Sequence, residues 1–101
     1  MEKRRPTYDL AAIQVAFADP STLAITVSAF RDAIALGFDR AGIVEVIQSI
    51  GRKMFVKSMT TFADHRVWQD VYYVPTDDVV LYVKFQADAI TEFRVMAFKE
   101  K

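Results

Sequence analysis

No cysteine occurs anywhere in this sequence. That absence removes a disulfide scaffold, a thiolate zinc site and a cysteine nucleophile together, and it fits a reducing compartment. Histidine is almost missing as well. His65 stands alone, and a histidine-based metal centre needs several converging ligands. There is no glycine-rich phosphate loop, zinc motif or nucleophile elbow, so neither a metal nor an organic cofactor is expected. Glycine and proline number three each, which leaves few breaks and implies short connections. No apolar run approaches the ~18 residues of a membrane span. None of signal-peptide length follows the basic start Met1-Glu2-Lys3-Arg4-Arg5 either. The chain therefore reads as soluble and cytoplasmic, with Lys3, Arg4 and Arg5 as a solvated end.

An excess of one charge is also lacking: 13 basic side chains face 13 acidic ones. Nucleic-acid binders are usually basic overall. Any RNA site here must be a local cluster, and Arg52, Lys53 and Lys57 form the densest basic group beyond the N-terminus. What the chain does have is apolar side chains, 52% of its 101 residues. That suffices for one core in one domain, residues 1–101, and argues against global disorder.

The first half has helical periodicity. Leu10, Ile13 and Phe17 mark a short helix ending near Asp19-Pro20. Val27, Phe30, Ile34 and Phe38 mark a second, with Thr26 or Ser28 as cap and Gly37 as its end. Ile43, Val46, Ile47 and Ile50 mark a third, opened by Asp39 and closed by Gly51. From residue 53 onward β-branched and aromatic residues dominate. Four strands are expected over 53–61, 66–74, 79–86 and 90–99, separated by short polar breaks, as in an antiparallel meander. Helices followed by strands predict an α+β domain, its N-terminal helices packed on a mostly antiparallel sheet. Strand alternation puts Tyr82 and Lys84 on one face with Val80, and Val79, Leu81, Val83 and Phe85 on the apolar other. By the same rule Lys57 goes with Phe55 and Met59, and Gln69 with Val67 and Val71.

With the usual catalytic kits missing, one chemistry remains well supplied. RNA carries its own nucleophile, the 2′-hydroxyl, beside every phosphodiester. An enzyme needs only to align it, stabilise the equatorial oxygens, remove one proton and supply another. Lysine, arginine, tyrosine and glutamine can do this without a metal, leaving a 2′,3′-cyclic phosphate and a 5′-hydroxyl.

Several segments carry a specific likeness: Met1-Glu2-Lys3-Arg4, Lys57-Ser58-Met59-Thr60-Thr61, Asp64-His65, Trp68-Gln69-Asp70-Val71-Tyr72, Tyr82 and Lys84 in the expected strand, and the closing Phe98-Lys99-Glu100-Lys101. In these the chain resembles the MqsR family of toxins from bacterial toxin–antitoxin pairs, which have a RelE/YoeB-like fold. The resemblance implies a sequence-selective ribonuclease that cuts messenger RNA at GCU-type sites. It also implies inhibition by an MqsA-like antitoxin, in which the zinc of the pair resides. The family's catalytic positions carry over to Lys57, Gln69, Tyr82 and Lys99. The last requires about two extra residues around Gln86–Glu92. Phe62 stands where the family commonly has tyrosine, and Tyr73-Val74-Pro75 replaces an Arg-Pro pair, removing one basic group.

The roles that follow are particular. Lys57 and Lys99 would contact the scissile phosphate. Were they neighbours, mutual repulsion would lower both pKa values and fit one of them to act as base. Tyr82 would give a proton to the leaving 5′-oxygen, since a phenol of pKa ~10 donates better than it accepts. Gln69 would orient a base edge or the 2′-hydroxyl. His65, the one imidazole and so a candidate for acid–base work, falls at a turn, so it is a secondary candidate beside a turn-stabilising role. Trp68 reads as core, with base stacking as the alternative. The competing reading is a non-catalytic RNA- or protein-binding module on the same fold.

Overall fold

A computed structural model describes residues 1–88 and 92–101. Strand β1 (Glu2–Lys3) is followed by helices α1 (Leu10–Ala16), α2 (Val27–Ala35) and α3 (Arg40–Ser49), then by strands β2 (Phe55–Thr60), β3 (Trp68–Pro75), β4 (Val80–Ala87) and β5 (Phe93–Glu100). Single 3₁₀ turns at Pro20–Thr22 and Arg52–Met54 link them. The sheet order is β1-β2-β3-β4-β5, antiparallel at every pairing. This is the expected α+β class. The last strand was expected from Ile90; residues 89–91 lie outside the described residues, as does part of the segment assigned the extra residues.

Short polar side chains set the helix starts. The Asp9 carboxylate accepts from the Ala11 N–H, the Thr26 hydroxyl from Ala29, and the Asp39 carboxylate from Gly42, each satisfying an N–H that the helix itself cannot. Gly37, at φ 92°, ends α2. The Phe38 N–H reaches back to the Ala33 carbonyl and the Gly37 N–H to that of Ile34, which requires the left-handed conformation glycine adopts without strain. Gly51 does not close α3 in this way, because Ile50 already leaves the helix in extended geometry.

The helices cover one face of the sheet. Tyr72, Val74, Leu81, Val83, Phe85, Val95 and Phe98 bury against Leu10, Ile13, Phe17, Ile43 and Ile47. Each large apolar side chain so removed from water contributes roughly 1.5–3 kcal/mol. Helix α2 departs from expectation. It buries Ala29 and Ala33, whereas Val27 and Ile34 are exposed. Small side chains let α2 lie close against β5, and Phe38 still reaches the core, edge-on to Phe98 at 5.3 Å. The chain just before α2 also covers the outer edge of β5, with the Thr26 N–H bonded to the Val95 carbonyl and the Val95 N–H to that of Ala24.

Two bulges reset the strand faces. Phe55 pairs with Tyr72 but Lys57 with Val71, so Val56 is extra in β2. Lys84 pairs with Ala97 but Phe85 with Val95, so Met96 is extra in β5. Simple alternation therefore failed for Lys57. Phe55 packs edge-on against Tyr72 in the core, and the bulge turns Lys57 to the opposite face.

The basic N-terminus is not a loose end. Glu2 and Lys3 pair with Met59 and Ser58, and the terminal amine donates to Thr60 Oγ1 at 3.2 Å. The Lys3 amine sits 4.3 Å above the half-buried Trp68 ring. Arg4 and Arg5 remain exposed. What holds the segment is Asp70, fully buried in β3. Its carboxylate accepts from the Thr7 N–H at 3.0 and 3.1 Å and from the Tyr8 N–H at 2.9 Å. The Thr7 and Ser58 hydroxyls bond at 2.7 Å, and the Tyr8 hydroxyl donates to the Trp68 carbonyl. Asp70→Ala strips both N–H groups of their acceptor and is expected to cost about 3 kcal/mol. That should appear as a lower urea midpoint with little change in slope, with Asp70→Asn, which keeps one acceptor oxygen, less damaging.

Candidate active site

Because Leu81, Val83 and Phe85 face the helices, Tyr82, Lys84 and Gln86 must face away from them. Register extends this open face into three cross-strand rows. Met59, Gln69, Gln86 and Arg94 form one; Lys57, Val71, Lys84 and Ala97 the next; Tyr73, Tyr82 and Lys99 the third. Lys57, Gln69, Tyr82 and Lys99, drawn from four strands, thus share one face. His65 does not join them. It is exposed in the β2–β3 turn, beside Met1, Thr60, Thr61 and Phe62. Nor does it hold that turn: the Thr61 hydroxyl donates to the Asp64 carbonyl and accepts from the Asp64 N–H, while Asp64 grips Arg66.

The expected basic group around residue 52 is split. Arg52 lines a hollow of about 310 Å³ with Tyr8, Phe55 and Tyr72 on the helix side, away from Lys57. A different group replaces it. Lys99 lies with its amine 5.4 Å from the centre of the Tyr82 ring, and Lys101 with its amine 4.7 Å from that of Tyr73. The two rings are 6.1 Å apart. The Lys101 N–H bonds to the Val80 carbonyl, which keeps the C-terminus on the sheet.

The ionisable groups fall into distinct environments. Lys57 is paired with Glu2 at 2.9 Å. Its amine is pushed up from the ordinary lysine value by that hydrogen bond, and the Glu2 carboxyl is pushed down by the same contact. Tyr82 is raised, mainly by burial, with Lys57 opposing. Lys84 is lowered, first by burial and then by the neighbouring Lys99 charge. The anticipated repulsion between Lys57 and Lys99 is therefore absent as a lowering of Lys57. Their strands are three spacings apart, about 14 Å, and Lys84 is the amine that feels Lys99. Lys84 was the residue to which the sequence attached no role, although it alternates with Tyr82 on one face; only strand pairing brings it beside Lys99.

Gln69 is buried, and its amide donates to Gln86 Oε1 at 2.8 Å. Gln86 in turn donates to Asp88, which also pairs with Arg94. This chain fixes the Gln69 plane and leaves its carbonyl oxygen without a donor among the described residues. Among the described residues no three histidine, cysteine or carboxylate groups converge as metal ligands, and no helix is long and apolar enough to cross a membrane.

The arrangement is an open sheet face carrying amines, phenols and an oriented amide. Comparison with known proteins gives it a context. Residues 5–100 match the family described as motility quorum-sensing regulator, toxin of MqsA. A protein of Escherichia coli (strain K12) named mRNA interferase toxin MqsR is 36% identical over 101 residues, with the whole of both chains covered. With so nearly complete a match, the chain belongs to the MqsR toxin family.

Proposed function

We propose that the open face cuts single-stranded messenger RNA, and that the protein is the toxin of a toxin–antitoxin pair. The observation that carries this is the gathering of Lys57, Lys99, Tyr82 and Gln69 on one uncovered face. An open face of cations and rings suits an extended strand, whose phosphates seek positive charge and whose unstacked bases seek π surfaces. The names of the family and of the bacterial relative, toxin of MqsA and mRNA interferase, point the same way.

In this reading Lys57 and Lys99 stabilise the nonbridging oxygens as negative charge accumulates on phosphorus. Gln69, its plane fixed by Gln86, orients the 2′-hydroxyl or a base edge. Tyr82, whose burial keeps it protonated, gives its proton to the leaving 5′-oxygen. The RNA supplies the nucleophile, so no metal step is needed. GCU-type sites are the substrate that the family likeness suggests, and the cytoplasm is where they would be met. An MqsA-like antitoxin, itself carrying the zinc, would silence the enzyme.

The test is incubation of the purified protein with a short GCU-containing RNA in EDTA. Cleavage leaving 2′,3′-cyclic phosphate ends is expected, and binding without cleavage would replace this reading with the binding-module one. Lys57→Ala is expected to lower the cleavage rate by at least about 100-fold while the urea midpoint barely moves. Parental activity in that variant would remove Lys57 from the site.

Glu2 adds a second prediction. Its carboxylate occupies the Lys57 amine that a phosphate would use. The pair stays ionised above the Glu2 titration, which lies below 4.5, and below the Lys57 titration, which lies above 10.5. It breaks as pH falls through the first or rises through the second. Within that window Glu2→Gln is expected to tighten binding of a non-cleavable 2′-deoxy-substituted RNA by about two- to fivefold, the scale of an exposed ion pair. Fluorescence anisotropy at fixed salt reads the change.

A further inference from the structure

Proton transfer from the 2′-hydroxyl needs an acceptor on the open face, and most of the groups there are unsuited. Gln69 does not titrate. Tyr82 is held protonated by burial. Lys57 is held charged by Glu2. Lys84 is different in its surroundings. Its row neighbours are Val71 and Ala97, neither of which can accept a hydrogen bond through its side chain. Val71 is fully buried although no helix covers this face, so neighbouring side chains of the open face close over this row. Lys84 is itself half-buried, and among the described residues no carboxylate lies within ion-pair distance of its amine. The charged and titratable groups facing it are Lys57 with its Glu2 from β2 and β1, Tyr73 from β3, Tyr82 from its own strand, and Lys99 and the Asp88-bound Arg94 from β5. Of these, Lys99 is the charge that disfavours protonation of the central amine, and burial acts in the same direction.

Position agrees with chemistry. Lys84 lies two residues from Tyr82 on the same face, about 7 Å along the strand. It stands between Lys57 two strands to one side and Lys99 one strand to the other. A phosphate seated over the Tyr82–Lys99 pair would lie beside Lys84, the amine that feels the Lys99 charge.

We propose that Lys84 is a catalytic residue, the general base that takes the proton from the attacking 2′-hydroxyl. This rests on the nuclease reading above. The 2′-oxygen forms a bond to phosphorus as its proton passes to the Lys84 amine. The bond from phosphorus to the 5′-oxygen breaks, and that oxygen takes the Tyr82 proton. The 2′,3′-cyclic phosphate and 5′-hydroxyl leave, and the Lys84 ammonium re-protonates the Tyr82 phenolate through solvent, restoring both groups. The lowered pKa of Lys84 supports the role, since a base must be neutral in part of the population at working pH.

The experiment is the pH dependence of kcat/KM for cleavage of a GCU-containing RNA by the full chain and two variants. The parent should show an ascending limb centred below the ordinary lysine value of 10.5. Lys84→Arg keeps the charge but cannot accept the proton. It should lose about 100- to 10,000-fold in rate and lose the limb, while anisotropy shows 2′-deoxy-substituted RNA bound about as tightly. Lys99→Met, whatever its effect on rate, should move the limb to higher pH, because removing that charge lets Lys84 hold its proton longer. Titration of the lysine Nζ resonances by NMR gives the same answer without turnover: Lys84 should lose its proton below Lys57. Parental cleavage with an unchanged limb in Lys84→Arg, or a Lys84 titrating at or above Lys57, overturns the assignment and leaves the nuclease reading standing. No cleavage by the parent overturns both.

Discussion

Leu81, Val83 and Phe85 have no exposed surface because helices seal one side of the sheet. In a strand that burial dictates the direction of every intervening side chain, so Tyr82, Lys84 and Gln86 must point to the side no helix covers. The same constraint acts through β3, where Tyr72 and Val74 are buried and Tyr73 faces out. A one-residue slip in register would exchange the two faces and bury lysines in the core. The hydrophobic effect, by fixing which face is dry, thereby builds the polar face.

Alternation alone would still have misplaced Lys57. The Val56 bulge lets Phe55 enter the core and sends Lys57 out, and the Met96 bulge does the matching task for Ala97 and Lys99 on β5. The N-terminal strand completes the edge. Buried Asp70 anchors Thr7 and Tyr8 through their backbones, and the residues before them lie along β2, bringing Glu2 onto Lys57. A buried carboxylate on the helix side thus steers a carboxylate on the open side.

Electrostatics explains how a chain of zero net charge can present a cationic surface. Lys57, Lys84, Lys99 and Lys101 come from three strands and the C-terminus, with Glu2 and Asp88 the acidic partners nearby. The amines are not equivalent. One is stabilised as a cation by an ion pair, and another is destabilised by burial and a like neighbour. Separating charge states within one cluster is what acid–base chemistry at a single phosphate requires.

The sequence by itself determined the elements. Helical periodicity placed α1 and α3, the caps Asp39 and Thr26 and the stop at Gly37 came from local hydrogen bonding and backbone freedom, and β-branched runs marked the four long strands. Such features depend on neighbours within a few residues, and those neighbours are written in order along the chain. Tertiary structure alone decided three things: that α2 buries Ala29 and Ala33 and not its larger side chains, that Val56 bulges and reverses the face of Lys57, and that Lys84 sits beside Lys99. Each depends on a partner across the sheet or across the core. No local pattern encodes which residue that partner will be, because packing selects it only once the strands have met.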